Sequence, residues 1–485
     1  MAGPDEPAHL IHAYGLDHGQ MGTPLIPKSK VSVDYRVPYS LYFASTEGFC
    51  WHFKPDQPAS CSLKWQTAPI TVSVKNYVAH YPPEYYAFVG LGSYVSTSSG
   101  GIYFMRLLSD LLSALALSAS VYVIAAYAHR RSLIFGLIFS MTPMAFFLSS
   151  VINPSGFEIT MAISLWTTLL IIALDHRRNV PRGLVTTSAV QSVLFVLIRG
   201  LSPLWFGITL LVFVVLMGTD AFGELLQRRD ARIGTAAVCL ATAQAVWWTI
   251  SQGTLNVLPV GFKVDPKDSF ANDLRATLHH VPEWVHQFVG LLGWLDTEMP
   301  NYLYRSWDWL VLLVLLFALL RGSWAQRSAL VLIGILAFWV PIFIIAHQAD
   351  QLGVVWQTRD GMPLLVGVTL LASALLTKSI RTHVVVKILL SGGIFAVGFF
   401  DVVALYTNLK RYAVGANGPS NFYLHTGSWT PPPGYLAVLI TISVATFALA
   451  TFMTLWLWKF QPVVKEAPAP EEPLPVLELR KTFHA

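Results

Sequence analysis

A polytopic, mainly α-helical membrane protein is the fold class this sequence predicts, and three observations predict it. Of 485 residues, 54% are apolar and only 12% are charged. Apolar runs able to cross a bilayer recur from Arg106 to Trp458. Short basic loops alternate with longer ones that carry Asp, Glu, His, Trp and Pro. The net charge of +5 is therefore a topology signal to be counted by loop, and it gives no reason to expect nucleic acid as a partner.

In chain order the apolar runs give eleven spans: Arg106 to Ala128, Leu133 to Val151, Phe157 to Leu174, Leu184 to Ile198, Leu204 to Met217, Ile233 to Ile250, Trp309 to Leu320, Ala329 to Ala346, Met362 to Leu376, Val384 to Tyr406 and Tyr435 to Trp458. Several are shorter than the roughly 20 residues a bilayer needs, so they extend into neighbouring aromatic and polar residues or cross obliquely. Trp307 and Trp309 read as an interfacial anchor of this kind. The stretch from Leu184 to Met217 is too long for one span, and Arg199-Gly200-Leu201-Ser202-Pro203 reads as a turn between two.

The basic loops hold Arg130 and Arg131; Arg177, Arg178 and Arg182; Arg228, Arg229 and Arg232; Arg321 and Arg327; Lys378, Arg381 and Lys387; then Lys459 and Lys465. The positive-inside rule makes them cytoplasmic. Ser251 to Arg305, His347 to Gly361 and Thr407 to Gly434 then lie outside, and so does the polar N-terminal region, residues 1–105. No signal peptide is visible to carry that region across, so the expectation is a twelfth helix upstream of Met1. The helical body spans 106–460. The tail, 461–485, holds Ala467-Pro468-Ala469-Pro470-Glu471-Glu472-Pro473 and reads as disordered and cytoplasmic.

Cys50 and Cys61 share the external region, whereas Cys239 lies in an apolar span. A Cys50–Cys61 disulfide is expected in an oxidising compartment, the alternative being two free thiols. There is no C-x-x-C zinc spacing, no P-loop and no Rossmann fingerprint.

Charges inside membrane spans are costly and tend to face a cavity. Arg106, Asp110, Glu158 and Asp401 lie in spans near the outer face, and Arg199, His347, Asp350, Arg359 and Asp360 lie in outer loops or at their edges. All fall on the side of Asp5, Glu6 and His9 in Pro4-Asp5-Glu6-Pro7-Ala8-His9. Individually they read equally well as interfacial side chains snorkelling to water. As a group they predict a polar cavity open to the outer leaflet. Such a cavity suits a reaction between a lipid-linked phosphate and an external acceptor: arginine holds phosphate oxygens bidentately, and a carboxylate takes the acceptor's proton. An Asp-Glu pair at a helix N-terminus is also what the helix dipole alone would favour.

The strings Pro4-Asp5-Glu6-Pro7-Ala8-His9, Tyr81-Pro82-Pro83-Glu84-Tyr85-Tyr86, Thr142-Pro143-Met144 with Asn153-Pro154-Ser155-Gly156-Phe157-Glu158, Gly293-Trp294-Leu295-Asp296 and Gln357-Thr358-Arg359-Asp360-Gly361-Met362-Pro363 resemble, in order, the bacterial membrane proteins called domain of unknown function 2142. That family also carries a helix before the Pro-Asp-Glu string. The chain departs from the family's Gly-Arg-Tyr at Thr358 and Asp360. In layout the family resembles GT-C glycosyltransferases, which use polyprenyl-phosphate sugars and place an acidic residue in the first external loop; fold alone does not fix function.

The resemblance implies Asp5 as general base, Glu6 as its understudy or a metal ligand, and His9 as an acceptor or phosphate contact. It implies Arg199 and Arg359 for the donor phosphate, with Glu158 and Asn153 lining the cavity. Tyr81, Tyr85 and Tyr86 form either a sugar-stacking platform or an aromatic belt, and Asp296 either binds the acceptor or caps a helix. Asp5, Glu6 and His9 could together hold a divalent metal ion. The expected partners are the bilayer, a polyprenyl-phosphate sugar donor and a cell-envelope glycan acceptor. A flippase of lipid-linked glycans or a non-catalytic envelope-assembly protein are the alternatives, although no internal symmetry of the transporter kind is visible.

Overall fold

The computed structural model describes residues 1, 3–20, 33–256, 269–353, 357–376, 384–424 and 429–459. The expected tail, 461–485, and the side chain of Asp350 lie outside the described residues. The chain is overwhelmingly helical, and every predicted span coincides with helix. Among the described residues seven helices are long and apolar enough to cross a membrane, or nine if each of two sharply bent pairs is one span. Arg182–Val196 and Met362–Leu375 are shorter. Each of the eleven expected spans therefore has a helix or a bent helix pair of its own, and length and composition alone qualify up to nine of them to cross.

Breaks in the helices follow local chemistry. Ser132–Ser140 and Pro143–Ser149 meet at 64°, where Pro143 has no N–H to continue the ladder and Thr142 caps the new helix by accepting from Ala145 N. Ser202–Met217 turns 108° into the amphipathic Thr219–Gln227 at Gly218, whose φ of 77° suits glycine. Asn153 caps Pro154–Asp175 by accepting from Ser155 N at 2.9 Å, with Pro154 in the first turn.

Pro154–Asp175 is the central helix, buried on almost all sides. Ser99–Tyr127 packs along it through a stripe of small residues, Ser109, Ser113, Ala116 and Ser120, which lets the two backbones approach closely. That helix begins at Ser99, ahead of the expected boundary at 106. Trp307 is not an interfacial anchor: it is fully buried, stacked on Phe139 and tilted against Phe400, while Trp309 faces outward.

The N-terminal region packs onto one end of the bundle. A helix, Glu6–Asp17, lies against the antiparallel pair Val33–Pro38 and Thr71–Asn76, in register from Val33 opposite Asn76 to Pro38 opposite Thr71. Leu10, Ile11 and Tyr35 share one continuous core with Ile163 and Leu370 of the bundle. A disulfide joins Cys50 to Cys61. The predicted loop from Thr407 is helical as far as Val414. The helix that runs into it, Val384–Val414, has 31 residues and spans about 46 Å at 1.5 Å per residue, more than a bilayer core of about 30 Å. The extension is anchored by buried Arg411, which donates to Trp51 O, Lys54 O and Gln57 O of the disulfide loop and to Asp296.

Candidate active site at the first turn of the chain

Asp5 occupies the N-cap of the first helix in the left-handed region, φ 60° and ψ 0°, where a non-glycine residue costs about 1–2 kcal/mol. An N-cap aspartate ordinarily accepts from the first-turn amides, but Asp5 makes no such bond. Its backbone carbonyl takes Ala8 N and His9 N instead, and Pro7 has no N–H to offer. The carboxylate is thereby turned away from the helix. Oδ1 accepts from the Tyr77 hydroxyl at 2.6 Å, and Oδ2 accepts from Arg359 Nη2. Pro4 O holds the turn by accepting from Asn153 Nδ2 at 3.1 Å and Arg359 Nη1 at 3.2 Å.

Glu6 points the opposite way. Arg106 grips it with Nε on Oε1 and Nη2 on Oε2, both at 2.7 Å, and Ile152 N and Gly3 N complete its acceptor set. It is fully buried, so it cannot stand in for Asp5; it fastens the N-terminal helix to the bundle.

A second ion pair sits beside the first. Arg199 donates Nη1 to Glu158 Oε2 at 3.2 Å and Nη2 to Asp360 Oδ1 at 2.7 Å, and Ser202 holds the other oxygen of Glu158 at 2.7 Å. The Arg199 guanidinium lies 6.0 Å from the Tyr81 ring centre. Side-chain exposure ranks these groups: Asp5 27%, Asp360 18%, Arg199 14%, Arg359 7% and Glu158 0%. Asp5 is the most open acid of the network.

Charge sets protonation here. Burial pushes the Asp5 carboxyl up, but the Arg359 guanidinium, with the Tyr77 hydrogen bond, holds it below the ordinary aspartate value. His9 is driven down to about 3, chiefly by burial and further by Arg359 and Arg199, against the pull of Asp5. It is a neutral ring at physiological pH, hydrogen-bonded through Nδ1 to the Tyr86 hydroxyl at 2.7 Å.

Three expected roles are corrected. Asp5, Glu6 and His9 do not form a metal site: their side chains go to Arg359, Arg106 and Tyr86, and among the described residues no group of three His, Cys, Asp or Glu is placed to hold an ion. Tyr85 is no sugar platform, since its ring is buried and its hydroxyl bonds Ser109 Oγ at 2.8 Å; Tyr86 is likewise in the core. Asp296 neither caps a helix nor lies open to an acceptor. It pairs with Arg411 at 2.7 Å in a buried contact. Asn153 is fully buried and supports the Pro4-Asp5 turn. Asp401 also stays apart, on the Val384–Val414 helix.

Sequence reasoning missed Tyr77 as the partner of Asp5, and it placed Asp360 among the outer-face charges without pairing it with Arg199. The charge of Asp360 beside Arg359 was the available signal. Tyr77 offered none, being one of several tyrosines between Tyr77 and Tyr94.

The profile of a family described as predicted membrane protein (DUF2142) matches residues 1–368, more than half of the chain and all of this site. The chain belongs to the DUF2142 family. No curated protein matches it. Among solved structures, ArnT from Cupriavidus metallidurans in the apo state aligns over 95% of this DUF2142 chain and 68% of its own, at 13% identity and a TM-score of 0.47. The same protein bound to undecaprenyl phosphate aligns over 95% and 69%, at 13% identity and a TM-score of 0.45.

Proposed function

We propose that this DUF2142 protein is a membrane glycosyltransferase that moves a sugar from a polyprenyl-phosphate-linked donor to a cell-envelope glycan on the external face. The observation that carries the reading is Asp5: a carboxylate withheld from the helix it caps, kept in a costly backbone conformation, partly open, and paired with Arg359 next to the Arg199 ion pairs. Strain of this kind collects at functional sites.

In the proposed reaction the acceptor oxygen bonds to the anomeric carbon as the bond from that carbon to the phosphate oxygen breaks. The bonding pair leaves with the phosphate, and the acceptor's proton passes to Asp5. Arg359 and Arg199 receive the charge that develops on the phosphate, the stage at which fixed cations lower the barrier most. A phosphate that takes one edge of Arg359 weakens its hold on Asp5, so the carboxylate becomes a stronger base once the donor is bound. His9, uncharged, adds no competing cation. Glu158, with Ser202, keeps Arg199 in place.

The test is Asp5→Asn at the native locus, with envelope glycans and lipid-linked sugars compared with wild type. Loss of a glycan modification with accumulation of its lipid-linked sugar is expected. Unchanged glycans from a well-expressed variant would remove Asp5 from the chemistry.

A further inference from the structure

Arg359 and Asp360 both stand on one short 3₁₀ turn, Thr358–Asp360, which cannot hold a guanidinium in place by itself. Its support comes from the Val281–Gly290 helix. Gln287, only 2% exposed, accepts the Thr358 N–H through Oε1 at 2.9 Å and donates through Nε2 to Glu283 Oε1 at 3.0 Å. The Thr358 hydroxyl donates to Trp284 O at 2.8 Å. Two bonds from one helix therefore meet on the residue just before Arg359. The second depends on a side chain that the glycine of the family's Gly-Arg-Tyr pattern does not have.

We propose that Gln287 and Thr358 are positioning residues that fix the turn so that Arg359 meets Pro4 O and Asp5. Both are buried, so a lost acceptor at Gln287 leaves an amide with neither protein nor water to bond, and the turn must move to relieve it. The movement is transmitted directly, because Arg359 is the next residue and donates Nη1 to Pro4 O and Nη2 to Asp5. The consequence for turnover rests on the glycosyltransferase reading; the positioning itself does not.

The experiment uses the purified full-length chain and the rate at which a carbodiimide, which attacks neutral carboxyls, couples an amine to Asp5, followed by peptide mass spectrometry across the acid range. Gln287→Leu and Thr358→Val free Asp5 from Arg359, and the rate rises about tenfold for each pH unit by which the Asp5 titration moves up. Thr358→Ser, which keeps the hydroxyl, labels as wild type. Glu6 is the internal control, since its grip by Arg106 does not pass through the turn. Wild-type rates at Asp5 in both Gln287→Leu and Thr358→Val overturn the proposal, and Thr358→Val decides alone if Gln287→Leu does not fold. Faster labelling in these variants, together with unchanged glycans in Asp5→Asn, supports the positioning and defeats the glycosyltransferase reading.

Discussion

Asp5 and Glu6 are neighbours in sequence, both acidic and both paired with an arginine, yet the structure uses them in opposite ways. Glu6 is fully buried, held by a bidentate arginine and two backbone amides, and its backbone is helical. Asp5 is partly exposed, touches its arginine through one oxygen, and sits in a conformation that aspartate adopts only at a cost. A saturated acceptor set in a dry site is a fastening. An unsaturated one at an open edge, maintained against strain, is a group kept available.

The comparison breaks most visibly under substitution by the neutral amide. Asp5→Asn should still fold, because asparagine tolerates the left-handed region, although Arg359 loses its counter-charge and some stability goes with it; it should lower transfer by about 10²–10⁴-fold, the usual contribution of a general base. Glu6→Gln should do the reverse. It leaves Arg106 in the bundle without its counter-charge and should cost about 3 kcal/mol of stability, the lower end for a broken buried pair because Arg106 is partly exposed. Thermal unfolding in detergent beside a transfer assay separates them; stability loss with unchanged transfer in both variants would mean that the two acids share one structural role.

From the sequence the two acids are expected on the face opposite the short basic loops, because loop charge and apolar run length are local properties that survive folding. It also allowed Arg199 and Arg359 to be grouped with Asp5 from their loop-edge positions. It could not separate Asp5 from Glu6, since the difference is one backbone torsion and the direction in which each side chain leaves the turn. Nor could it place Asp296 with Arg411, a pairing between a hairpin and a helix that runs past the membrane, or bury Trp307, whose partners Phe139 and Phe400 come from distant helices. These are facts of tertiary packing, and nothing in the neighbouring sequence encodes them.

Buried rings of the N-terminal region give a second contrast, between Asp5 and Glu6, which favour folding when charged, and histidines that favour it when neutral. His9, His12 and His52 are each held down to about 3, mainly by burial, against about 6.5 in the unfolded chain. Their folded values are the lower ones, so the unfolded chain binds more protons between these limits. Asp17 on the first helix, raised to about 6 by burial, works against this below about pH 6. It is one group against three rings, so stability should be full above about pH 6.5 and fall as pH drops toward 3. The depressed Asp5 adds a loss only below its ordinary value near 3.8. Unfolding temperature against pH reads the sign; His12→Asn, which lies outside the proposed chemistry, should flatten the slope, and an unchanged slope would show that His12 is not buried neutral.

The smallest effect is expected at Asp360, where this chain departs from its family. Arg199 is shared between Asp360 and Glu158, but only Glu158 is fully buried and itself held by Ser202. Asp360→Asn should therefore leave Arg199 in place while freeing the edge of its guanidinium that faces the opening. The Asp360 contact is partly exposed, so its loss should be worth about 0.5–1 kcal/mol, a two- to fivefold gain in affinity for the donor or its phosphate product. Donor KM falling with kcat nearly constant would fit a carboxylate that competes with phosphate for Arg199. A loss as deep as that of Asp5→Asn would place Asp360 against the reacting atoms and make it, with Asp5, one of two available acids.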